Sequence, residues 1–504
     1  MTKLYVNPHR QFSVKPQLFG SFLEHMGTVI YTGVYEPTHP TATPEGFRGD
    51  VVKLVKDLGI RTLRYPGGNY TSSYYWEDTV GPKDQRPKRM NIAWQSLETN
   101  QFGLAEFFQW MAQTGIDNPI LTINLGTRGV NDALHELEYV NGRFDTDWAN
   151  LRRQHGHADP YNVHYWCLGN ELDGPWQVAA KQPEEYGHLA NECAKAMKLM
   201  DPSIETIVVG SSTPRLASYP EWDFKVLMEA YDNVDYIAMH NYVDRDQSEN
   251  LDSVALREPD DLPTYLARSL EFDHQIEEIE TIADAVKAIR HSDKTMKISF
   301  DEWNVHHFSG KQPEPWTAHN PVDWCYFDLA DTLLFGSMAL AILRHGDRVK
   351  LSCQALLVNT ISLILTDENG PAWTNPTYDV LKSLLDVIND DSQVVETVYD
   401  GPRYDAGKYR DVPVIDQVLL ENQDNYVLFA VNRSDDAQTI DLTLPTAIVG
   451  GKHELIAGKL SDQNTREHPD SLRLRLGADE IPAGQQQHVT LPAHTWNVIT
   501  FNKA

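Results

Sequence analysis

The chain has 504 residues, of which 41% are hydrophobic, and its 43 basic and 72 acidic residues give a formal net charge of −29. This length predicts two domains, and the hydrophobic content is sufficient for buried cores, which argues against long disordered stretches. A chain with this much negative charge should repel phosphate backbones and anionic lipids. We therefore expect neither a nucleic acid nor a membrane as its partner.

The N-terminal segment and the cysteines indicate a cytoplasmic protein. Residues 1–10 are polar and contain no apolar segment of the kind found in signal peptides, and no run of about 18 apolar residues occurs anywhere. The four cysteines lack the close spacing of metal ligands, so we expect reduced, mostly buried thiols and no metal site at Cys167, Cys193, Cys325 and Cys353.

Apolar strand-like segments alternate with amphipathic segments from about residue 17 to about residue 360. Eight strands are predicted, at Gln17–Phe22, Arg61–Tyr65, Pro119–Asn124, Val163–Gly169, Thr206–Ser211, Val234–His240, Met296–Glu302 and Leu351–Leu357. Helical periodicity predicts helices at Asp50–Leu58, Gly103–Thr114, Pro183–Met200, Phe272–Arg290 and Trp324–Leu343. This alternation predicts a (β/α)8 TIM barrel. The alternative, a doubly wound open sheet, would usually carry a glycine-rich phosphate turn after its first strand, and the sequence has none.

The pattern changes from about residue 377. A last helix is predicted at Thr377–Asn389, and the short alternating segments after it predict an all-β sandwich of the jelly-roll type, with strands at Gln393–Tyr399, Val414–Asn422, Tyr426–Asn432, Gln438–Leu444, His453–Ala457, His488–Leu491 and Trp496–Phe501. Two N-terminal strands, Lys3–Val6 and Gln11–Val14, are predicted to join it. The predicted domains are therefore residues 1–15, which pack on the β-domain, the barrel at 16–376, and the sandwich at 377–504.

Two of the predicted barrel strands end in glutamates. Glu171 follows the fourth strand and Glu302 ends the seventh. Because barrel enzymes place catalysis at the C-terminal strand ends, these side chains should face each other across the mouth. Two such carboxylates are what the cleavage of a glycosidic bond requires, one as acid and one as nucleophile or base. A salt-bridge role or a carboxylate metal site is the alternative, but no further cluster of Asp or His with a fixed spacing accompanies the pair.

Other strand ends carry polar groups suited to sugar hydroxyls. His240 and Tyr242 lie two residues apart and should project to the same side, where they could hydrogen-bond a carboxylate. The remaining strand ends supply Glu24, His25, Arg64, Asn69, Asn124 and Gln354. Aromatic residues also cluster at this end, and we expect only two or three of them to contact a sugar, from among Tyr70, Tyr74, Tyr75, Trp76, Trp94, Trp176, Trp303 and Trp316.

These motifs together resemble glycoside hydrolase family 51, which consists mainly of intracellular α-L-arabinofuranosidases. The likeness rests on Phe22-Leu23-Glu24-His25, Arg64-Tyr65-Pro66-Gly67-Gly68-Asn69, Gly169-Asn170-Glu171, His240-Asn241-Tyr242 and Asp301-Glu302-Trp303-Asn304, in this order. It implies an exo-acting, retaining enzyme without a cofactor, with Glu171 as general acid/base and Glu302 as nucleophile. It further implies a hexamer, and a furanose pocket lined by Glu24, Arg64, Asn69, Asn124, Asn170, His240, Tyr242 and Gln354.

The leaving-group side departs from the family pattern. His306 and His307 follow Val305 where family members often have Trp, and Arg128 stands where they often have a small residue. We expect Arg128 and His306, together with Trp94 and Trp176, to lie on the aglycone side, and the charged segment 243–268 to act as a lid. A related barrel β-xylosidase or endoglucanase, or a non-catalytic sugar-binding protein, is the alternative function.

Overall fold

The computed structural model describes residues 2–244, 260–307, 314–318, 325–478 and 480–504. In chain order the strands are β1 (Thr2–Ser13), β2 (Phe19–Phe22), β3 (Thr62–Tyr65), β4 (Arg89–Asn91), β5 (Ser96–Glu98), β6 (Asn118–Thr122), β7 (Tyr165–Cys167), β8 (Glu205–Val208), β9 (Tyr236–Val243), β10 (Lys297–Val305), β11 (Val349–Gln354), β12 (Ile364–Thr366), β13 (Ala372–Thr374), β14 (Gln393–Asp400), β15 (Arg403–Ala406), β16 (Tyr409–Pro413), β17 (Ile415–Glu421), β18 (Asn425–Asn432), β19 (Gln438–Ile456), β20 (Arg475–Leu476), β21 (Gly484–Leu491) and β22 (Thr495–Lys503).

The α-helices separate the barrel strands and follow the last of them. They are α1 (Gly49–Leu58), α2 (Leu104–Thr114), α3 (Val130–Asn141), α4 (Asp147–Gln154), α5 (Pro183–Met200), α6 (Glu221–Ala230), α7 (Leu262–Ala267), α8 (Leu270–Ile289), α9 (Leu329–Arg344) and α10 (Thr377–Leu385). Within the described ranges, none of them combines the length and apolar character needed to cross a bilayer.

Eight parallel strands close into the predicted barrel, in the order β2, β3, β6, β7, β8, β9, β10, β11 and back to β2. Each of the eight predicted strands corresponds to one of these barrel strands, which confirms the (β/α)8 fold. Two are longer at their C-terminal ends than predicted. β9 and β10 stay paired beyond an irregularity in their register, so that Glu302 lies opposite His240 and Asn304 opposite Tyr242.

Several predicted helix and strand limits were wrong, among them the start of α9, the end of α10 and the start of β2. The helix predicted from Trp324 begins only at Leu329, because Asp328 caps it by accepting a hydrogen bond from the backbone of Asp331. Trp324 itself lies outside the described residues. The helix predicted to end at Asn389 ends at Leu385. β2 begins at Phe19, because the predicted strand residues Gln17 and Leu18 belong to a short 3-10 helix that starts at Pro16.

The C-terminal strands form one sheet that folds into two layers around the long, bent strand β19. Its first half pairs with β1 and β21, and its second half pairs with β22 and β20. The segments predicted as two strands, Gln438–Leu444 and His453–Ala457, are the two ends of this single strand. The predicted N-terminal strands are likewise one strand, β1, whose register against β14 shifts between Asn7 and Gln11.

One hydrophobic core runs through the barrel and continues into the inner face of the C-terminal sheet. Residues of β18 and β22, among them Phe429 and Trp496, belong to the same buried cluster as the barrel strands. A separate core lies between the two layers of the sandwich and includes Leu4 of β1. The four cysteines are buried, as predicted, and none of them forms a disulfide bond.

Candidate active site

Glu171 and Glu302 meet at the C-terminal end of the barrel. Both are buried, and a carboxylate oxygen of each lies within 4.8 Å of the other and of a ring nitrogen of His240. Retaining glycosidases hold their two carboxyl groups about 5 Å apart, whereas inverting enzymes leave a wider gap for a water molecule. The geometry therefore fits retention.

Two donors hold the carboxylate of Glu302. The Arg64 Nη1 atom donates to Oε1 at 2.8 Å, and the Tyr242 hydroxyl donates to Oε2 at 2.7 Å. Burial opposes ionisation of Glu302, but the charges of His240 and Arg64 and these hydrogen bonds outweigh it and hold its pKa below the usual value. Glu302 is therefore ionised at neutral pH.

Glu171 is held from two sides. His240 Nδ1 lies 3.0 Å from its Oε1 atom, and the Trp176 indole N–H donates to Oε2 at 2.6 Å. Its backbone has a φ of +46°, a left-handed conformation that a non-glycine residue rarely adopts and that occurs disproportionately at functional sites. This conformation belongs to the tight turn Gly169–Glu171 at the end of β7.

His240 lies between the two glutamates. Its Nδ1 atom is 3.7 Å from Glu302 Oε2 as well as 3.0 Å from Glu171. Burial lowers the pKa of His240, but the charge of Glu302 and the contact with Glu171 reverse this and raise it above its ordinary value. A charged imidazolium at this position stabilises negative charge on whichever of the two glutamates is ionised.

Arg64 is buried and binds more than the candidate nucleophile. Its Nη2 atom donates to the Asn170 side chain at 2.6 Å, and Asn170 in turn donates to Asn69 at 3.2 Å. Its Nε atom lies 3.8 Å from a carboxylate oxygen of Asp301. The predicted Arg64, Asn69 and Asn170 therefore form one connected layer beside Glu302.

Glu24 lies next to this layer. Its Oε1 atom accepts hydrogen bonds from the backbone N–H of Tyr70 at 2.8 Å and from the Trp94 indole at 2.7 Å. Burial raises the pKa of Glu24 to about 7; the hydrogen bonds oppose this increase and the charge of Glu302 adds to it. Gly68 provides the space between the two carboxyl groups, because a Cβ atom there would lie 3.0 Å from Glu302 Oε1 and 3.1 Å from Glu24 Oε2.

Asn124 and Gln354 are buried and already hydrogen-bonded to nearby chain segments. The Asn124 amide donates to the Tyr74 carbonyl and the Thr127 hydroxyl, both at 3.0 Å, and its oxygen accepts from the backbone of residues 126 and 127. Gln354 accepts from Ser21 at 3.1 Å. Among the described residues, neither side chain hydrogen-bonds Glu171 or Glu302, so their predicted role in sugar binding stays a prediction.

The residues predicted on the leaving-group side are in different environments. Trp176 is 43% exposed although its N–H reaches Glu171, and the partly buried Trp94 contacts Glu24. The ring of His306 packs edge-on against Tyr242, with centroids 5.8 Å apart. Arg128 is bound by two carboxylates: Glu77 accepts from both of its terminal nitrogens at 2.6 and 2.7 Å, and Asp132 accepts at 2.5 Å.

Burial divides the aromatic residues predicted at this end of the barrel, and which of them contact a sugar stays a prediction. Four are core side chains with at most 4% exposure: Tyr70, Tyr74, Trp76 and Trp303. Three keep exposed faces, namely Tyr75 (46%), Trp176 (43%) and Trp316 (39%). Part of the predicted lid, residues 245–259, lies outside the described residues.

In the part of the chain that the structure describes, Glu171, His240 and Glu302 could together bind a metal ion on distance alone. Their chemistry does not favour this, because the Arg64 guanidinium contacts Glu302 directly and Tyr242 occupies its second oxygen. A cation here would meet an existing positive charge at close range.

Two residues that contact this site, Asp301 and Arg215, were not predicted to do so. Asp301, buried next to Arg64, accepts hydrogen bonds from Ser299 and, at 3.3 Å, from Cys167. Arg215 donates to the Tyr242 carbonyl at 2.8 Å. Arg215 follows β8, the one strand end to which no residue was assigned, so inspection of all eight ends would have found it.

Comparisons with known proteins agree with this geometry. Residues 54–257 match the model of the α-L-arabinofuranosidase 1 domain, and residues 301–495 match that of the α-L-arabinofuranosidase C-terminal domain. The chain is 41% identical to the intracellular exo-α-(1→5)-L-arabinofuranosidase 1 of Bacillus subtilis, over 86% of this chain and 84% of the relative. It is 37% identical to an exo-α-(1→6)-L-arabinofuranosidase of Bifidobacterium longum, over 96% and 94%.

Solved structures agree as well. A family 51 α-L-arabinofuranosidase from Bifidobacterium longum superposes with a TM-score of 0.91 at 35% identity, covering 99% of both chains. The chain belongs to glycoside hydrolase family 51. An α-L-arabinofuranosidase from Thermotoga maritima, solved as an arabinose complex, has a TM-score of 0.88 at 29% identity and covers 100% of both chains. The predicted family is therefore confirmed, and these matches favour it over a barrel xylosidase or endoglucanase.

Proposed function

We propose that this family 51 chain is a retaining, exo-acting α-L-arabinofuranosidase that releases terminal arabinofuranosyl residues from arabino- and arabinoxylo-oligosaccharides. The observation that carries the mechanism is the approach of Glu171 and Glu302 to within 4.8 Å, on neighbouring sides of His240. The enzyme class is supported by relatives at 37–41% identity that are named exo-arabinofuranosidases.

In the first step, a carboxylate oxygen of Glu302 attacks the anomeric carbon. The bond from this carbon to the leaving oxygen breaks, and Glu171 donates its proton to that oxygen. The products are an arabinosyl ester of Glu302, a free alcohol and the carboxylate form of Glu171. Arg64 and Tyr242 keep Glu302 ionised and oriented for the attack.

In the second step, Glu171 accepts a proton from a water molecule, whose oxygen attacks the anomeric carbon. The ester bond breaks and the carboxylate of Glu302 is regenerated. His240 contacts both glutamates and therefore stabilises the negative charge wherever it lies during the cycle. The double inversion releases arabinose with its original anomeric configuration.

The sugar itself is bound by the groups around the pair. Glu24, Arg64, Asn69 and Asn170 provide donors and acceptors for ring hydroxyls, and Asn124 and Gln354 complete the pocket walls. A buried pocket of this kind accepts one terminal residue, which agrees with exo action. Trp94, Trp176, Arg128 and His306 then face the leaving group.

Two variants test the assignment on an aryl α-L-arabinofuranoside. Glu302→Ala should abolish turnover, because no nucleophile remains. Glu171→Ala should still form the ester when the leaving group is good, and azide should restore turnover by attacking that ester. Residual hydrolysis by Glu302→Ala, or failure of azide to rescue Glu171→Ala, would contradict the two roles.

Product analysis on defined oligosaccharides tests the substrate. The relatives include enzymes named for (1→5) and for (1→6) linkages. We therefore propose comparing both linkages with singly and doubly substituted xylo-oligosaccharide branches, measuring kcat/KM for each. Release of arabinose from none of them, with aryl arabinofuranoside activity intact, would overturn the proposed natural substrates.

We further propose a cytoplasmic homohexamer with domain limits at residues 1–15, 16–376 and 377–504. Several relatives are named intracellular enzymes, which supports the location. Light scattering coupled to gel filtration tests the assembly, and a mass equal to one chain of 57.2 kDa would exclude it.

A further inference from the structure

The backbone of Tyr242 is fixed by a charged side chain from the neighbouring strand end. Arg215 donates through Nη2 to the Tyr242 carbonyl at 2.8 Å and through Nη1 to the Asn241 side chain at 3.3 Å. Its side chain is only 10% exposed. The hydroxyl of Tyr242 donates to Glu302, so Arg215 binds the backbone of a residue that contacts the candidate nucleophile.

Arg215 depends on one carboxylate. Glu271, at the start of α8, places Oε2 3.8 Å from its Nη1 atom. Burial lowers the pKa of Arg215, whereas the charge of Glu271 raises it and that of Arg268 lowers it further. Glu271 therefore offsets the cost of burying this guanidinium.

Glu271 is in turn held by the C-terminal domain. The hairpin of β15 and β16, which we call the ribbon (residues 403–413), leaves the main sheet and packs on α7. At its turn, the Tyr409 hydroxyl donates to Glu271 Oε1, and Lys408 Nζ lies 3.2 Å from the same oxygen. Tyr409 is buried in a small apolar cluster with Ala267 and Val412, which anchors the ribbon.

We propose that the ribbon is a positioning element of the active site: Tyr409, through Glu271 and Arg215, sets the position of Tyr242 and hence of Glu302. Four residues from the barrel and the C-terminal domain thus act on one carboxylate. This gives the second domain a part in the reaction, and the inference rests on the proposed role of Glu302.

Loss of the Tyr409 hydroxyl leaves one oxygen of Glu271 with fewer donors and lets this carboxylate move. Arg215 and the Tyr242 backbone would shift with it and weaken the hydrogen bond to Glu302. Glu302 would then ionise less readily, because the hydrogen bond from Tyr242 favours its charged form. The other charged or titratable neighbours of Glu302 would be unchanged. Those neighbours are Arg64, Glu24, Glu171, His240, Cys353 and Asp301. Around Glu271 itself, the charged or titratable groups are Arg215, Arg268, Lys408 and Tyr409.

The test compares two Tyr→Phe variants of the same ribbon. Tyr409→Phe removes the contact with Glu271, whereas Tyr404→Phe removes a hydrogen bond from the ribbon to the Pro263 carbonyl, at 3.3 Å, and leaves Glu271 untouched. We expect Tyr409→Phe to lower kcat on an aryl arabinofuranoside by about fivefold at unchanged KM. The acidic limb of its kcat/KM profile should move to higher pH by about half a unit. Tyr404→Phe should keep the wild-type kcat and pH profile.

A Tyr242→Phe background distinguishes an effect on the position of Tyr242 from a general loss of structural stability. In that background Tyr409→Phe should cause no further shift of the acidic limb, because the hydrogen bond through which it acts is already absent. Glu271→Gln weakens the same contact from the other side and is measured in parallel, with melting temperatures for every variant.

Equal effects of Tyr409→Phe and Tyr404→Phe, or a shift that persists without the Tyr242 hydroxyl, would overturn the inference. Wild-type protein inactive on arabinofuranosides would instead overturn the proposed function. The two failures are therefore distinguishable.

Discussion

At the residue scale, Glu24 is a carboxyl group whose pKa is raised by burial to near neutral pH. It is 3% exposed, and both of its protein donors bind the same oxygen, Oε1. With a pKa of about 7, it is partly protonated at neutral pH and can both donate to and accept from a sugar hydroxyl. An ordinary ionised glutamate would only accept.

The raised pKa of Glu24 makes stability depend on pH. The folded state binds this proton more tightly than the unfolded chain, so the free energy of unfolding falls as pH rises from about 4.5 through about 7, by up to about 3 kcal/mol. Glu24→Gln keeps a neutral group that can accept both hydrogen bonds. We therefore expect the variant to gain stability over the wild type between about pH 5 and pH 8, measured by thermal unfolding. A constant difference between the two across this range would contradict the assignment.

The charged form of His307 stabilises the fold, whereas the charged form of Glu24 destabilises it. The ring of His307 contacts Asp244 at 3.1 Å and Asp331 at 3.0 Å, and these hydrogen bonds and charges outweigh burial and raise its pKa to about 10. The contribution of the charged ring to stability is complete below the unfolded value of about 6.5 and is lost as pH rises through about 10. His307→Gln should therefore lower the melting temperature at about pH 6 by several degrees and by much less at about pH 10.5. An equal loss at both pH values would exclude a charged His307.

At the element scale, the strand ends of the barrel explain how distant residues meet. β3 ends with Arg64 and Tyr65, and the turn that follows places Gly68 against Glu302 and Glu24. This turn requires glycine at position 67 for two reasons. A Cβ atom there would lie 2.4 Å from the Glu24 side chain, and Gly67 has a φ of +125°. The close approach of this turn to two carboxyl groups leaves no room for a side chain.

Gly68→Ala should therefore reduce activity more than stability. The added methyl group would push Glu302 or Glu24 by a few tenths of an ångström, and displacements of this kind near reacting groups cost about 10-fold or more in kcat/KM. Gly129→Ala is the matched control, because a Cβ atom there meets nothing within 4 Å. Equal kcat/KM for the two variants would show that the turn tolerates a side chain.

The sequence predicts the barrel well because its buried parallel strands are continuous apolar segments bounded by polar ends. It predicts the extent of β9 and β10 poorly, since the residues by which they extend beyond the predicted ends include the polar groups Asn241, Tyr242 and Asn304, which are typical of loops. The pairing of these strands continues through them. The start of α9 was missed because an apolar segment precedes it, although Asp328 and Asp331 form a recognisable capping box.

The glutamate pair and most of its neighbours were predictable because each lies at a strand end and the barrel brings these ends together. The contacts of Arg215 with Glu271, and of Glu271 with Tyr409, were not. These contacts join the segment after β8, helix α8 and the ribbon, which are far apart in sequence. No local sequence pattern in one of them predicts its contact with the others. The two carboxylates around Arg128 were missed for the same reason, although Asp132 lies one helical turn from it.

At the scale of the whole molecule, barrel and sandwich share one hydrophobic core. α9 packs directly on the C-terminal sheet: a Cβ atom at Gly336 would lie 2.7 Å from the Trp496 ring. That ring is fixed, since its N–H donates to Ser383 at 3.2 Å and it stacks on Phe429. A shared core of this kind couples the unfolding of the two domains.

We expect a single cooperative unfolding transition in calorimetry. Gly336→Ala should lower its midpoint, because overpacking against Trp496 costs about 1–3 kcal/mol and exceeds the gain of about 1 kcal/mol in helix propensity. Two separate transitions, of which the variant shifts only one, would show that the domains unfold independently.

Strand β1 adds a consequence for biosynthesis. It precedes the whole barrel in the chain, yet its hydrogen-bond partners are β14 and β19, which the ribosome produces hundreds of residues later. The barrel strands from β2 to β11 can all emerge and close before either partner exists. A segment translated before the barrel is thus among the last to become ordered, and until then its backbone groups remain available to chaperones.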